Sequence, residues 1–126
     1  MARILVADDS EAVRLLLVRS LTRDGHDVVA VADGEQAFEL LVTEQFGVAV
    51  LDVMMPGMDG LTLCRTLREA PGLGHLAVVV VSAASSEVAA LAAGADAFLD
   101  KPFRPSMLRL VVGKLARANR PGSHVR

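Results

Sequence analysis

Aromatic residues are scarce in this 126-residue chain: they make up 3% of it, and tryptophan and tyrosine are absent. Because hydrophobic residues still account for 52% of the sequence, Val, Leu and Ala must build the core. Cys64 is the only cysteine, which excludes an internal disulfide and fits a reducing compartment. No apolar stretch is long enough to cross a bilayer, and residues 1–3 lead into a strand-length apolar run rather than a signal peptide. We therefore expect a soluble, cytoplasmic protein with no membrane partner.

The charge balance is also unremarkable, with a net charge of −2 and 22% charged residues. No strong basic surplus favours nucleic acid as a ligand, and no helix-turn-helix segment follows Arg120, so we predict no direct nucleic-acid binding. The histidines His26, His75 and His124 have no ligand-like spacing. The length fits one domain, which we place at residues 1–119, with residues 120–126 as a tail or the start of a linker.

Five short apolar runs alternate with helical patterns along the chain. Continuous runs of this kind are typical of strands that are buried on both faces. The predicted strands are residues 4–7, 28–31, 47–51, 76–81 and 97–99. Amphipathic segments follow them, from residue 11 to about 24, from 34, around 61–67, from 86 to 93 and from 105 to 118. In the first of these segments, Val13, Leu16, Leu17 and Leu21 fall on one helical stripe, which we expect to face the core. Strict alternation predicts an α/β fold: a five-stranded, parallel, doubly wound sheet with helices on both faces.

Polar residues stand where the predicted strands end. They are Asp8 and Asp9 after the first strand, Asp52 after the third, Ser82 after the fourth and Lys101 after the fifth. Right-handed crossovers place the carboxyl ends of all parallel strands on one edge of the sheet. Open α/β sheets bind their ligands at that edge. We therefore predict that these five residues meet at one site.

The chemistry of this set indicates phosphoryl transfer. Three neighbouring carboxylates repel one another by several kcal/mol in a low-dielectric site, so they stay ionised only around a cation. An open cluster of oxygen ligands suits Mg²⁺ better than Ca²⁺. Lys101 and the Ser82 hydroxyl would form an adjoining half-site for an anion. In this arrangement Asp52 is the predicted nucleophile, and its product is an acyl phosphate.

The same residues resemble those of a response-regulator receiver domain. The resemblance covers about residues 3–118, and its motifs are residues 8–9, residue 52 with 55–60, residues 82–83 and residues 94–103. It implies a flavodoxin-like strand order 2-1-3-4-5 and a phosphoacceptor function in two-component signalling. The implied partners are a histidine kinase or phosphotransfer protein, and an output domain or effector protein. Such a protein is not an enzyme in the usual sense, because it catalyses only its own phosphoryl transfer and dephosphorylation. We expect a monomer or weak dimer.

Roles follow from the resemblance position by position. Asp52 corresponds to the phosphoacceptor, and Asp9 to the direct Mg²⁺ ligand with Asp8 assisting. The carbonyl of Met54 would complete the protein's share of the metal ligands. Lys101 would pair with the phosphoryl group or with Asp52.

The resemblance also implies a conformational switch. Ser82 would hydrogen-bond a phosphoryl oxygen, and Phe98 occupies the position of the family's rotating aromatic residue. Movement of Ser82 towards the new oxygens would free space, which Phe98 would fill by swinging inward. This movement would remodel the face made by the fourth helix, fifth strand and fifth helix. The bond between Lys101 and Pro102 is expected to be cis.

Two features depart from the family pattern. Between Ser82 and Lys101 the chain is about one helical turn shorter than in relatives, so we predict a short or displaced fourth helix. This puts the familiar dimer through that face in doubt. In addition, Met54 and Ala84 occupy the positions that tune phosphate lifetime, and neither side chain can position a water molecule. We therefore predict slow autodephosphorylation.

Other interpretations remain open from the sequence alone. Asp8 and Asp9 could form an ordinary strand-to-helix turn, Ser82 could cap the fourth helix, and Phe98 could be a static core residue. A hydrolase with an aspartyl nucleophile would need an Asp-x-Asp motif, whereas this chain has Asp8-Asp9-Ser10. The second alternative is an atypical receiver that acts as a protein-interaction module without phosphorylation.

Overall fold

Strands and helices alternate along the chain in a computed structural model, which describes residues 2–83 and 86–118. The five strands are β1 Arg3–Ala7, β2 Asp27–Val31, β3 Val48–Asp52, β4 Ala77–Ser82 and β5 Ala97–Asp100. The five helices are α1 Glu11–Thr22, α2 Gly34–Thr43, α3 Gly60–Glu69, α4 Glu87–Ala92 and α5 Pro105–Ala118. Most bounds lie within one or two residues of the predicted ones.

All five strands are parallel and lie in the order β2-β1-β3-β4-β5, which confirms the predicted topology. Ile4 of β1 lies opposite Val28 of β2 and Val48 of β3. At the other end of the sheet, Asp52 lies opposite Val81 and Ser82 opposite Asp100. The register therefore brings the carboxyl ends of β3, β4 and β5 to one edge.

The core has two layers, one on each face of the sheet. Successive side chains of a strand point to opposite faces, so Ile4 and Val6 enter one layer and Leu5 and Ala7 the other. The first layer packs against α1 and α5, and the second against α2, α3 and α4. Every residue of β3 and β4 is buried. As the composition predicts, aliphatic side chains fill nearly all of this core.

Four helices begin at a side-chain cap. The residues Ser10, Asp33, Asp59 and Ser86 each accept a hydrogen bond from the backbone N–H three positions on. The cap of α4 is therefore Ser86, which excludes the interpretation of Ser82 as its cap. At the other end of α1, the predicted limit of about residue 24 is two residues too far. The helix ends at Thr22 in a tighter turn, which closes at Gly25 with a φ of 87°.

The shortened fourth helix is confirmed, because α4 has only six residues. The turn that follows it is held by Arg68 of α3. The Arg68 side chain donates hydrogen bonds to the carbonyls of Gly94, at 2.8 Å, and Leu76, at 2.6 Å. It also pairs with Asp96 at 2.8 Å. One guanidinium thus ties α3, the start of β4 and the α4–β5 turn together.

One prediction about α1 is wrong. The sequence placed Leu16 on the inward stripe with Val13, Leu17 and Leu21, but Leu16 is 40% exposed. The buried face instead runs through Leu17, Ser20 and Leu21, and Leu16 lies about 100° around the helix from Leu17. Within the described residues, every helix is too short or too polar to span a lipid bilayer. The predicted tail or linker, residues 120–126, lies outside the described residues.

Candidate functional site

Three carboxylates meet at the carboxyl edge of the sheet. The side chains of Asp8, Asp9 and Asp52 each place an oxygen within 4.8 Å of the others. Asp8 and Asp52 are buried, with exposed fractions of 1% and 4%, whereas Asp9 is exposed. The predicted convergence of these three residues is confirmed.

Asp8 is held on both its backbone and its side chain. Its N–H donates to the carbonyl of Val31 at 3.2 Å, which continues the pairing of β1 with β2 by one residue. Its Oδ1 accepts the N–H of Ser10 at 2.9 Å, and its carbonyl accepts Arg14 Nη1 at 2.9 Å. The turn into α1 therefore fixes the Asp8 carboxylate in place, and Asp9 is left facing solvent.

Asp52 is the last residue of β3 and leads into a tight loop. The N–H groups of Met55 and Gly60 both donate to the carbonyl of Val53, at 3.1 and 3.0 Å. A side chain at residue 60 would collide with the carbonyl of Asp52, so the loop needs glycine there. Gly57, at the tip, has a φ of 73°, which favours glycine as well. This loop folds back close to the strand end and leaves the Asp52 carboxylate open towards Asp8.

Lys101 bridges two of the carboxylates. Its Nζ lies 2.8 Å from Asp8 Oδ2 and 3.3 Å from Asp52 Oδ1. The contact with Asp52 was predicted, but the shorter contact with Asp8 was not. Lys101 and Asp8 are 93 positions apart in the sequence. No local sequence signal indicates how far a lysine side chain reaches across the edge of a sheet.

The electrostatics of this cluster favour a bound cation. Burial and the neighbouring Asp8 charge raise the pKa of Asp52, although Lys101 and the backbone N–H of Met54 act in the opposite direction. Burial opposes protonation of Lys101, but Asp8 and Asp52 outweigh it and raise the lysine pKa. Three carboxylates against one ammonium group leave a surplus of two negative charges. An all-oxygen cluster with this surplus fits a hard divalent cation.

Ser82 ends β4 and is completely buried. Its carbonyl accepts the backbone N–H of Lys101 at 3.1 Å, so the ends of β4 and β5 are joined beside the acidic cluster. Phe98 lies one strand away in β5, paired in register with Val80. It is half-buried and packs against the α2–α3–α4 layer of the core.

The remaining predicted positions are less enclosed. The Met54 side chain is 62% exposed and projects away from the core. Ala84 lies outside the described residues. The bond between Lys101 and Pro102 is cis, as expected.

An apolar groove adjoins the acidic cluster, and sequence reasoning missed it. The groove has a volume of about 330 Å³ and is lined by Val13, Leu16, Ala83, Lys101, Pro102 and Phe103. It contains the exposed Leu16 that the sequence had assigned to the core. The signal that could have revealed it is the Leu15-Leu16-Leu17 triplet, because one helix cannot bury three consecutive residues on a single stripe.

The parallel sheet, with its acidic cluster and bridging lysine at the carboxyl edge, places this chain among the open α/β proteins that bind their ligands at that edge. The family model of the response regulator receiver domain matches residues 4–112, and the chain belongs to that family. Among curated proteins, the response regulator MprA of Mycolicibacterium vanbaalenii is 42% identical over 120 residues, which cover 94% of this chain and 52% of that protein. MprA of Mycobacterium tuberculosis is 43% identical over 123 residues.

Solved structures agree with this assignment. The receiver domain of Francisella response regulator 1452 superposes with a TM-score of 0.89 at 30% identity, covering 95% of this chain and all of that one. The chemotaxis response regulator CheY4 of Vibrio cholerae gives 0.85 at 28% identity, covering 91% of this chain and 98% of that one. The chain spans about half the length of the curated relatives it matches.

Proposed function

We propose that this receiver domain accepts a phosphoryl group on Asp52 from a phosphorylated histidine of a kinase or phosphotransfer protein. The observation that carries this proposal is the Lys101 bridge, with Nζ 2.8 Å from Asp8 and 3.3 Å from Asp52. This amine lies where it can stabilise the oxygens of a phosphoryl group that arrives at Asp52.

Asp52 is the best nucleophile of the three carboxylates. Both oxygens of Asp8 are occupied, Oδ1 by the N–H of Ser10 and Oδ2 by Lys101. Asp9 is exposed, so solvent screens its charge. Among the described residues, it also has no amine close to it. Asp52 is buried, and its longer 3.3 Å contact with Lys101 is the easier one to exchange for a phosphoryl oxygen.

The donor set fits a magnesium ion. Asp8, Asp9, Asp52 and the Met54 carbonyl would hold it, with Asp9 as the direct and most accessible ligand. When bound, the metal supplies positive charge that offsets both the carboxylates and the phosphoryl oxygens. An empty cluster would keep two uncompensated negative charges, which would repel an anionic donor.

In the transfer itself, an Asp52 oxygen attacks phosphorus while the phosphorus–nitrogen bond to the donor imidazole breaks. The bonding electron pair stays on the imidazole nitrogen, and the product on Asp52 is an acyl phosphate. Lys101 keeps its contact with Asp8 and exchanges its contact with Asp52 for one with a phosphoryl oxygen. The Ser82 hydroxyl, at the end of β4, donates to a second oxygen. The domain thus catalyses only its own phosphorylation and the later hydrolysis of the product.

The donor protein reaches Asp52 over the apolar groove. Val13, Leu16 and Phe103 line this groove, and Lys101, which contacts Asp52, lines it as well. An apolar surface of this kind suits the packing of a partner helix that carries the phosphohistidine. Leu16→Ala should therefore slow transfer from a phosphorylated histidine phosphotransfer domain but leave phosphorylation by acetyl phosphate unchanged. Leu15→Ala is the matched control, because Leu15 is 49% exposed on the same helix but lies outside this groove.

We propose the response to phosphorylation from the chain's membership of the receiver family. Phosphorylation adds about 1.5 to 2 negative charges beside Ser82, which moves towards them and lets Phe98 turn inward. The affected face includes the exposed Val88 and Leu91 of α4 and Met107 and Leu110 of α5. An output domain or effector protein would read this face, with the domain itself a monomer or weak dimer. A domain limit at residue 119 followed by a linker agrees with relatives about twice as long.

The acyl phosphate should be long-lived. The Met54 side chain points into solvent and offers no polar atom to orient a water molecule for attack. Hydrolysis of the purified phosphoprotein, followed by intact mass, should take minutes or longer. A half-life of seconds would contradict this proposal.

The direct test is intact mass after incubation with acetyl phosphate and Mg²⁺. Wild type and Asp100→Asn, which removes an exposed carboxylate at the same edge, should each gain one phosphoryl group. Asp52→Asn should gain none, and EDTA should block the gain in wild type. If folded wild-type protein gains nothing, the phosphorylation-independent receiver is the better account, and the exposed α4 surface becomes its proposed contact site.

A further inference from the structure

A polar cavity lies at the edge of the sheet opposite the one that carries Asp52. It is formed between the turn that joins α1 to β2 and one face of α5, from Arg109 to Arg117, and it has a volume of about 290 Å³. Its lining residues are Asp24, His26, Arg109, Gly113, Ala116 and Arg117. None of these residues contributes to the acidic cluster, so the proposed phosphorylation gives this cavity no role.

His26 is a fixed hydrogen-bond donor in this cavity. It is 92% buried, and its Nδ1 accepts the N–H of Ala2 at 3.0 Å. Nδ1 therefore carries no proton in the neutral ring, and the proton lies on Nε2. Among the described residues, Nε2 makes no hydrogen bond, and His26 lines the cavity, so Nε2 is the ring nitrogen that could donate to a ligand there.

Two guanidinium groups supply further donors. Arg109 binds Asp24 through two nitrogens, with Nε 3.0 Å and Nη2 2.6 Å from Oδ1. This fork fixes the plane of the guanidinium and leaves Nη1 available for another ligand. Arg117 has no ion pair within the described residues, and it lies across Gly113, where an added Cβ would be 3.4 Å from its Nη1. Gly113 and the Arg117 guanidinium therefore lie next to each other in the lining of the cavity.

The charge and donor balance of the cavity select an anion. Asp24 is the single acidic residue of the lining, and Arg109 already occupies both of its oxygens. The free groups are all donors: Nε2 of His26, Nη1 of Arg109 and the guanidinium of Arg117. Donors on two different elements, the turn after α1 and helix α5, suit a ligand with several oxygens better than a planar carboxylate. The volume exceeds that of a single ion and leaves room for a substituent.

We propose that this cavity binds an oxyanion of the phosphate class, either inorganic phosphate or the phosphate group of a small monoester. The site is separate from Asp52 and lies on the other edge of the sheet. It does not depend on phosphorylation of the domain, so the two proposals can fail independently.

NMR spectroscopy tests this proposal directly, because the ¹⁵N resonance of His26 Nε2 and the arginine side chains report the contact. Wild-type protein is titrated with inorganic phosphate in EDTA, which keeps metal out of the acidic cluster. We expect saturating shifts at His26 and Arg117, with a dissociation constant in the millimolar range or below. Shifts that grow linearly, or that spread over the whole surface, would show nonspecific screening and overturn the site.

Variants make the test specific. Arg117→Gln and His26→Asn should each weaken binding about tenfold or more, and asparagine keeps an acceptor for the N–H of Ala2. Arg104→Gln removes an exposed charge that does not line the cavity, so its affinity should match wild type. Equal effects of Arg117→Gln and Arg104→Gln would overturn the proposal.

Ligand comparison separates the possible sources of the oxyanion. Glycerol phosphate that binds as tightly as inorganic phosphate, or more tightly, supports a phosphate site that admits a monoester. Weaker binding of glycerol phosphate would assign the site to the inorganic ion. Acetate that binds as tightly as phosphate would show that any small anion suffices, which would contradict the proposed ligand class.

Discussion

The two edges of the sheet each carry an aspartate paired with a basic side chain, but with opposite surroundings. At the carboxyl edge, Lys101 stands among three carboxylates, two of them buried, and negative charge is in excess. At the amino edge, Arg109 pairs with Asp24, and the free groups around them are donors. In the functions proposed above, the same type of ion pair therefore serves a cation and a phosphoryl group at one edge and an anion at the other. What decides the ligand is the surplus charge around the pair.

The largest difference between the edges should be seen in the phosphorylation rate. Lys101→Gln removes the amine that contacts both Asp8 and Asp52, and loss of one such transition-state donor costs roughly 100-fold. Arg109→Gln at the opposite edge should leave the rate unchanged. Initial rates with acetyl phosphate and Mg²⁺, quantified by intact mass, measure both. Equal rates for Lys101→Gln and wild type would remove Lys101 from the mechanism.

Mg²⁺ should stabilise the folded protein through the carboxyl edge alone. At a Mg²⁺ concentration ten times its dissociation constant, the free energy of unfolding should rise by about 1.4 kcal/mol. Asp9→Asn should remove this gain, because it deletes the most accessible proposed ligand, whereas Asp100→Asn should keep it. Urea denaturation with and without Mg²⁺ measures the difference. A gain that persists in Asp9→Asn would place the ion elsewhere.

Without metal, the excess negative charge should cost stability. Asp52→Asn removes a buried carboxylate whose pKa is raised by burial and by Asp8, and Lys101 keeps its 2.8 Å contact with Asp8. We expect the free energy of unfolding to rise by about 1 kcal/mol in EDTA at pH 7. Asp24→Asn, at the exposed pair, should not raise it. A loss of stability in Asp52→Asn would mean that Lys101 fully compensates this carboxylate.

The smallest effect is expected from His26 as pH falls. Burial lowers the His26 pKa in the folded protein, although Asp24 acts in the opposite direction. The unfolded chain therefore binds the proton first, at about pH 6.5, and stability decreases as pH falls from there through the folded-state pKa. His26→Asn should flatten this part of the stability curve relative to wild type. Matching curves for the two proteins would exclude His26 as the source.

The parallel α/β architecture and the carboxyl-edge cluster could be predicted from the sequence because both follow from short-range patterns, whereas the strand order was implied only by the resemblance to receiver domains. Each apolar run ends on a polar residue, and parallel strands bring those ends together. The short α4 was predicted by comparing the spacing between Ser82 and Lys101 with that in receiver domains. The meeting of Asp8, Asp9 and Asp52 could therefore be predicted from the sequence alone.

Features that depend on side-chain reach or helix rotation could not be predicted in this way. The Leu15-Leu16-Leu17 triplet is compatible with several rotations of α1, and only packing against β1 and α5 turns Leu16 towards solvent. The Lys101–Asp8 contact depends on how a flexible side chain spans two strand ends. The amino-edge cavity joins His26 to Arg117, 91 positions later, and neither lies in a recognisable motif.

The central claim is that Asp52, and neither of its two acidic neighbours, accepts the phosphoryl group. The most direct measurement is reduction of the phosphorylated protein with borohydride, which converts an aspartyl phosphate to homoserine, followed by mass spectrometry of its peptides. The account predicts homoserine at residue 52 alone, because Asp8 is occupied by Ser10 and Lys101 and Asp9 faces solvent. Homoserine at residue 8 or 9 would contradict it.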